Sequence, residues 1–426
     1  AGQDMTDRGE TRQEEAGKSV RHVAIPATTA PWGRSASSGS TEGVPPKGDV
    51  MSPTVAPWSI GLVEPQQLSL EDRLSKARAA RPQGQQGGEQ QDATANPPAE
   101  EGDWKEVAKL SLVVDGKPVT YGLKVPYKWI KTHQDLETFK KSKTYNIIKE
   151  FILSLNHNCM GKKIDDPRTI SPSCSKVIDV LKKMSSWVDE IPPIKQPMRY
   201  GNKAFRDWMD KVAEEVPKLV EEMLPDEIKA AAVEATPYLL GSLGDKTRID
   251  YGTGHEQMFI CFLALLAKIN FFKDEDADAL ALNVFWEYLQ LVRRLQLAYR
   301  LEPAGSHGCW SLDDYQFIPF LWGSAQLMNH PTLVPSSIHE DWVVNANANS
   351  YFYFHCVQFI RTVKSGSLSE NSPMLNDISG ITTWPRVNNG MCKMFFAEVM
   401  DKFPVMQHML FGGILPEPEE EVGSSG

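Results

Sequence analysis

Four short segments concentrate the residue types that bind ions, phosphates and other proteins. They are Arg199-Tyr-Gly-Asn-Lys-Ala-Phe-Arg206-Asp-Trp208, Arg248-Ile-Asp-Tyr-Gly-Thr-Gly-His-Glu256, the stretch from Glu302 to Phe317, and Phe403-Pro-Val-Met-Gln-His408 followed by Phe411-Gly-Gly413. In the second, a Gly-rich turn opens a helix, so unbonded amides and the positive end of the helix dipole face outward beside Arg248, which suits a phosphate. A purely structural account competes, because Thr253 and Glu256 have the Thr-x-x-Glu spacing of a capping box. In the third, Asp313 and Asp314 stand at an expected helix start, while Gly305 and Gly308 permit backbone angles that turn carbonyls toward a cation. Capping by Ser311 with Asp314 explains the same residues equally well.

Each segment lies at an expected helix boundary, where a rigid scaffold presents functional loops. Tyr145, Ile148, Phe151, Ile152 and Leu155 keep a three-and-four rhythm, as do Val177, Leu181, Met184 and Val188, so each set predicts a helix with one buried stripe. Further helices are expected near 203–223, bent at Pro217, and near 226–240, 254–272, 277–299, 313–328, 340–364 and 388–402, joined by Gly- and Pro-bearing turns. The fold class is therefore all-α. No segment repeats at a fixed period, which disfavours a solenoid. Before the helices, two β-leaning runs from Leu110 to Tyr121 flank Asp115-Gly116 and predict a small hairpin within 104–125.

The first hundred residues are rich in Gly, Pro, Gln, Ser, Thr and Ala and poor in Ile, Leu and Phe, so residues 1–103 read as a disordered tail. Within it, Leu70 to Arg81 has the pattern of a marginal helix, and Ala-Pro-Trp occurs at Trp32 and again at Trp58. The end of the chain, 416–426, is acidic and reads as a solvated tail. A net charge of −10 and a pI near 5.5 argue against nucleic acid as a partner. The longest apolar stretch, Met258 to Phe272, is interrupted by Lys268 and falls short of the roughly 20 residues that span a bilayer. Neither a secretory nor a lipidation signal is apparent, and the six cysteines form no Cys-x-x-Cys pair, as expected of reduced thiols in a cytosolic or nuclear protein.

Two motifs imitate sites. His355-Cys356 with Arg361 resembles a tyrosine-phosphatase nucleophile loop, but the spacing is too short and no glycine intervenes, so Cys356 reads as a packing residue on a helix. Asp274, Asp276 and Asp278 open like a calcium loop, yet Ala279 and Phe285 occupy the positions that need glycine and a bidentate glutamate. These acids read as the negatively charged start of a helix.

Taken in order, the four segments resemble one family, the activators of type 2A serine/threonine protein phosphatases, also called phosphotyrosyl phosphatase activators. The resemblance runs from about Val125 to Leu415 and rests on Tyr251-Gly-Thr-Gly-His-Glu256 and Leu312-Asp-Asp-Tyr-Gln-Phe-Ile-Pro-Phe320. It implies a single helical domain over 126–415 with core, linker and lid parts and a groove that meets the phosphatase catalytic subunit, with or without its scaffold subunit. It also implies ATP and magnesium as cofactors and an associated peptidyl-prolyl isomerase activity on proline-containing peptides. By residue match, Arg248, Thr253, Gly254, Pro404, Val405, Gln407 and His408 would contact the nucleotide, and Gly308 and Asp314 would lie near the metal. The groove would be lined by Arg199, Tyr200, Gly201, Asn202, Lys203, Arg206, Trp208, Asp250, Tyr251, Trp310, Tyr315, Phe317, Trp322 and Gln326. His307, Cys309, Ser311 and Met409-Leu410 depart from the family pattern. The rival reading is a scaffold or targeting protein whose activator-like domain no longer activates.

Overall fold

Two helices buried over most or all of their length lie at the centre, and amphipathic ones surround them. The structure, a computed structural model, describes residues 106–114, 117–197, 200–304 and 312–419. Expectations for residues 1–103, Asp115-Gly116, Arg199, Gly308, Trp310 and 420–426 lie outside the described residues. Thr253–Lys268 buries every residue from Glu256 to Leu266, as a helix apolar on all sides must. Ile318–Gln326 is buried along its whole length and packs between Phe352–Val363 and Trp384–Phe395. Its crossing is close, because a Cβ at Gly323 would come within 2.3 Å of the Tyr353 backbone nitrogen.

The outer helices form for local reasons that sequence displays. Lys143–Asn158 starts where Ser142 Oγ accepts from the Tyr145 amide at 3.1 Å, and it buries Ile148, Ile152 and Leu155. Pro172–Glu190 is capped in the same way by Ser171, with Pro172 in its first turn. Ala204–Met223 contains Pro217 and buries Val212, Val216 and Val220. Phe285–Tyr299 packs on Pro172–Glu190, and Ala232–Gly241 packs on Thr253–Lys268. All described residues considered, the fold is mainly helical with short strand pairs.

Several boundaries differ from the periodicity, each for a tertiary reason. The helix expected over 313–328 begins only at Ile318, because the preceding turn is tied down by side chains from other elements. The helix expected over 340–364 is two, Asp341–Asn347 and Phe352–Val363, and the second starts where Gln326 Oε1 accepts from the Phe352 amide at 2.9 Å. The 277–299 segment carries a π-helical turn at Leu280–Val284, and Trp384–Phe395 runs into another at Phe396–Met400. The 226–240 segment opens with a 3-10 turn, Asp226–Ala231, before Ala232–Gly241. Lys268 ends the helix expected to reach 272, and Asn270 turns the chain with φ 61°. The periodicity did not signal His133–Phe139, Leu368–Asn371, Pro373–Ser379 or Phe403–Met406.

Ala108–Val114 and Lys117–Leu123 pair antiparallel, and their Leu110, Tyr121 and Leu123 side chains join the helical core. Glu234, fully buried on Ala232–Gly241, accepts from the Lys124 amide at 2.8 Å and from Gly413 and Ile414 amides at 2.6 and 2.9 Å. One carboxylate thus fastens both ends of the domain to one helix. Part of the acidic end is packed as well, a correction to its reading as a solvated tail. Thr144 Oγ1 donates to the Pro416 carbonyl at 2.6 Å, and half-buried Glu417 pairs with Lys124 at 3.1 Å. No helix among the described residues is long and apolar enough to cross a membrane.

Candidate functional site

Backbone pairing brings the four segments together. Asp250–Tyr251 lies parallel to Glu302–Pro303, and the Ala304 amide donates to the Tyr251 carbonyl at 2.8 Å, joining the second segment to the third. Gly252 permits this approach, since a Cβ there would meet the Ala304 oxygen at 2.3 Å. Arg206 donates to the Thr247 carbonyl at 3.0 Å, and a Cβ at Gly201 would lie 3.8 Å from both Ile249 and Glu302, so the first segment adjoins the second. A Cβ at Gly254 would rest 3.5 Å from Val405, which places the fourth segment against the helix start.

At that helix start the predicted capping box does not form. Gly252 is the N-cap, and no side chain caps the helix. The amides of His255 and Glu256 bond the Gly252 carbonyl, and Thr253, Gly254 and His255 remain partly exposed. Glu256 instead points inward, where its Oε2 accepts from the Phe317 and Ile318 amides at 2.8 and 3.0 Å. An acid inside a helix apolar on all sides was the signal for an internal partner, because an unpaired buried carboxylate is costly.

Ile249 has φ 55°, a strained conformation for a β-branched residue that recurs at functional sites. It separates Arg248 from Asp250, whose side chains nevertheless meet, Arg248 Nε donating to Asp250 Oδ2 at 2.7 Å. Burial works to raise the Asp250 pKa, but His255 and Arg248 beside the carboxylate outweigh it and hold the group below the usual carboxylate range. His255 Nδ1 donates to the Gly241 carbonyl at 2.7 Å, which orients its ring. Arg248 itself stays half exposed, with 51% of its side chain accessible.

The fourth segment closes the patch. Phe403–Met406 ends in Gln407 and His408, and Gln407 Nε2 donates back to the Pro404 carbonyl at 3.2 Å. His408 is exposed. Partial desolvation of the ring, together with positive charge from Lys128, Arg248 and His255 and against Asp245, lowers its pKa to about 4. Arg248, paired with Asp250 and with Asp245 at 3.4 Å, thus lies beside a helix start whose dipole points outward. The residues fit a nucleotide phosphate: Arg248 is accessible, and ordinary packing does not demand glycine at 254.

Asp313 and Asp314 do not open a helix but occupy the 312–317 turn. Asp313 pairs with Arg293 in the interior, and Asp314 accepts from Lys364 Nζ at 2.8 Å while remaining partly exposed. Among the described residues, no group of three His, Cys, Asp or Glu side chains could hold a metal ion. Magnesium takes one or two carboxylates together with nucleotide phosphates and water, and Asp314 is the partly exposed carboxylate of this turn. In that role Asp314 would have to release Lys364.

The residues expected to line a groove divide into two groups. Tyr200, Lys203 and Arg206 are exposed, whereas Trp208, Tyr251 and Trp322 are fully buried. Phe317, Tyr315, Gln326, Asn202, Gly201 and Asp250 are buried too. Trp208 stacks on Phe205, Tyr251 OH meets Tyr288 OH at 2.6 Å, and Trp322 Nε1 donates to the Ile152 carbonyl at 3.3 Å. Asn202 bonds both polar backbone atoms of Ile194, and Gln326 donates to the Lys162 carbonyl at 3.0 Å. These buried side chains support the surface instead of lining it, a correction to their reading as contact residues.

Neither imitation motif forms a site. Cys356 is fully buried on Phe352–Val363, where desolvation pushes its thiol up to about 12. Asp276 accepts from the Lys273 amide at 2.8 Å at a helix start, and Asp278 pairs with Lys162 at 2.6 Å.

Residues 126–417 match the family described as phosphotyrosyl phosphate activator (PTPA) protein. The chain is similar to probable serine/threonine-protein phosphatase 2A activator 2 of Dictyostelium discoideum, 45% identical over 302 residues, covering 68% of this chain but only 64% of that protein. It is 40% identical to probable activator 1 of the same organism over 68% of this chain and 90% of that protein. Activator 2 of Cryptococcus neoformans is 44% identical over 70% and 78%. The crystal structure of the PP2A phosphatase activator Ypa1 PTPA1 superposes with a TM-score of 0.63 at 34% identity, covering 69% of this chain and 96% of that one. With the family match spanning most of the chain, and the four segments held together on the helical scaffold, this chain belongs to the PTPA family.

Proposed function

We propose that the chain binds the catalytic subunit of a type 2A-like serine/threonine protein phosphatase, with or without its scaffold subunit, and brings it to its active conformation with ATP and magnesium. The observation that supports this most is the convergence of the half-exposed Arg248, the Thr253–Gly254 helix start and Pro404–His408 in one accessible patch. Thr253 and Gly254 would offer backbone amides to phosphate oxygens, Arg248 a guanidinium, and Pro404, Val405, Gln407 and His408 the adjoining wall. Asp314, with Gly308, would hold magnesium. The bound metal–nucleotide would supply charge neutralisation and a bridge toward the phosphatase active site. Tyr200, Lys203 and Arg206, exposed beside this patch, would contact the partner.

The test is titration of the chain with phosphatase catalytic subunit, with and without ATP and magnesium, followed by activity on a phosphoserine peptide. Complex formation at micromolar concentration with ATP-dependent activation is expected. A complex that forms without any activation would favour the scaffold reading, and no complex would end the activator reading.

The associated peptidyl-prolyl isomerase activity is a second proposal carried by the family. An isomerase must lower a barrier of about 18–20 kcal/mol by desolvating and twisting the amide. A proline-peptide exchange assay with and without the phosphatase tests it. We place the protein in the cytoplasm or nucleus, on the absence of cysteine pairs, and fractionation of cells tests that.

A further inference from the structure

We propose that Glu256 is a positioning residue that couples the phosphate-facing end of the Thr253–Lys268 helix to the turn bearing Asp313 and Asp314. This rests on the reading of those two segments as one nucleotide–metal site. Glu256 lies within one helical turn of Thr253 and Gly254, and its amide is anchored on the Gly252 carbonyl. Its side chain leaves that helix entirely. Both hydrogen bonds it accepts come from Phe317 and Ile318, amides at the start of Ile318–Gln326 that have no acceptor within their own helix. Glu256 Oε1 has no partner among the described residues, so the hydrogen bonding of the carboxyl is directed at this turn alone.

The turn is held from several other sides as well. Ser372 donates to the Leu312 carbonyl at 3.1 Å, Asp313 Oδ1 accepts from the Tyr315 amide at 2.9 Å, and Tyr315 OH donates to the Leu301 carbonyl at 2.7 Å. Arg293 holds Asp313, and Lys364 holds Asp314. Among these ties Glu256 is the one that originates in the phosphate-facing segment. A phosphate that draws the Thr253 and Gly254 amides outward therefore acts on the same turn of helix from which Glu256 reaches Phe317. Fixing Phe317 fixes the register of Asp314, three residues earlier.

Because a single oxygen accepts both amides, glutamine can replace the acid without breaking the link, whereas alanine cannot. The experiment compares wild type, Glu256→Gln and Glu256→Ala as full-length chains, measuring ATP affinity by calorimetry with and without magnesium, and amide hydrogen exchange of residues 312–318. In wild type and Glu256→Gln, ATP at the helix start slows exchange at Phe317 and Ile318, and magnesium tightens ATP binding within the roughly 5–150-fold range of coupled sites. Glu256→Ala binds ATP alone within about twofold of wild type but loses most of that magnesium enhancement. Should Glu256→Ala fail to fold, the wild-type exchange measurement decides: protection at residues 253–255 without any at 317–318 overturns the coupling. Equal magnesium enhancement in wild type and Glu256→Ala overturns it as well. Wild type that binds no ATP even with phosphatase present refutes the nucleotide reading itself, a distinct outcome.

Discussion

Arg293 and Asp313 form an ion pair whose side chains are only 5% and 1% exposed, so the turn beside the candidate site is anchored to Phe285–Tyr299 by charge in the interior. Arg293 also donates to Gln296 at 3.0 Å and lies 3.7 Å over the Phe359 ring. Removing one partner leaves the other charge buried alone. Asp313→Asn or Arg293→Met should therefore cost on the order of 3–5 kcal/mol in urea unfolding, while the apolar double replacement recovers a large part. Single losses below about 1 kcal/mol would mean the pair does not anchor the turn.

The two glycines of the helix start should respond in opposite ways. Gly252→Ala would press a Cβ to 2.3 Å from the Ala304 oxygen and should destabilise the protein clearly. Gly254→Ala meets nothing closer than 3.5 Å and should fold with stability equal or higher by up to about 1 kcal/mol. If a phosphate approaches this backbone, the folded Gly254→Ala protein should nonetheless bind ATP more weakly. Unchanged ATP affinity would remove Gly254 from the site.

Arg248→Ala and Asp314→Ala should each weaken ATP-dependent activation while leaving circular dichroism unchanged. Acting through one nucleotide, they should not add, so the double variant should be little worse than the worse single one. Activation measured at limiting and saturating ATP checks this. Fully additive losses that ignore ATP concentration would separate the two residues.

His408 offers a local reporter. Desolvation and the positive charges of Lys128, Arg248 and His255 hold its pKa near 4, so the ring is neutral at pH 7. Nucleotide phosphates beside it would offset that potential, and the pKa should rise toward the ordinary 6.5. Titration of the ring by NMR with and without ATP reads the shift. An unmoved pKa in the ATP-saturated protein would place the phosphates elsewhere.

Glu256 should also shape stability against pH. Desolvation, opposed by the Ile318 and Phe317 amides and by Arg293 and reinforced by Asp313, raises its pKa from 4.5 to about 8. The neighbouring Tyr251 and Tyr288 hydroxyls are pushed well above 10 and do not titrate in this range. The folded state keeps a proton that the unfolded chain releases, so this contribution is full below pH 4.5 and is lost as pH rises toward 8. The slope is at most about 1.4 kcal/mol per pH unit. Glu256→Gln should flatten that component, and wild-type and variant curves that run parallel from pH 5 to 8 would show the carboxyl to be ionised throughout.

Much of this molecule was written in local pattern. The three-and-four rhythm of Ile148, Ile152 and Leu155 and the Ser142 and Ser171 caps depend on neighbours in the chain, so Lys143–Asn158 and Pro172–Glu190 appear where periodicity puts them. The all-α class and the four boundary segments follow from the same kind of signal, and long strings such as Tyr-Gly-Thr-Gly-His-Glu carry the family. Only tertiary structure decided what those residues do. Thr253 and Glu256 have capping-box spacing, but burial turned Glu256 inward, where its Oε2 accepts from two amides at the start of another helix. The same holds for Tyr251, Trp322 and Gln326, whose types suit a binding surface yet whose side chains are buried and hydrogen-bonded inside the core, and for Trp208, which is buried against Phe205. In segments without such a rhythm, spacing along the chain does not record which side chains face water, and that choice is made by what packs against them.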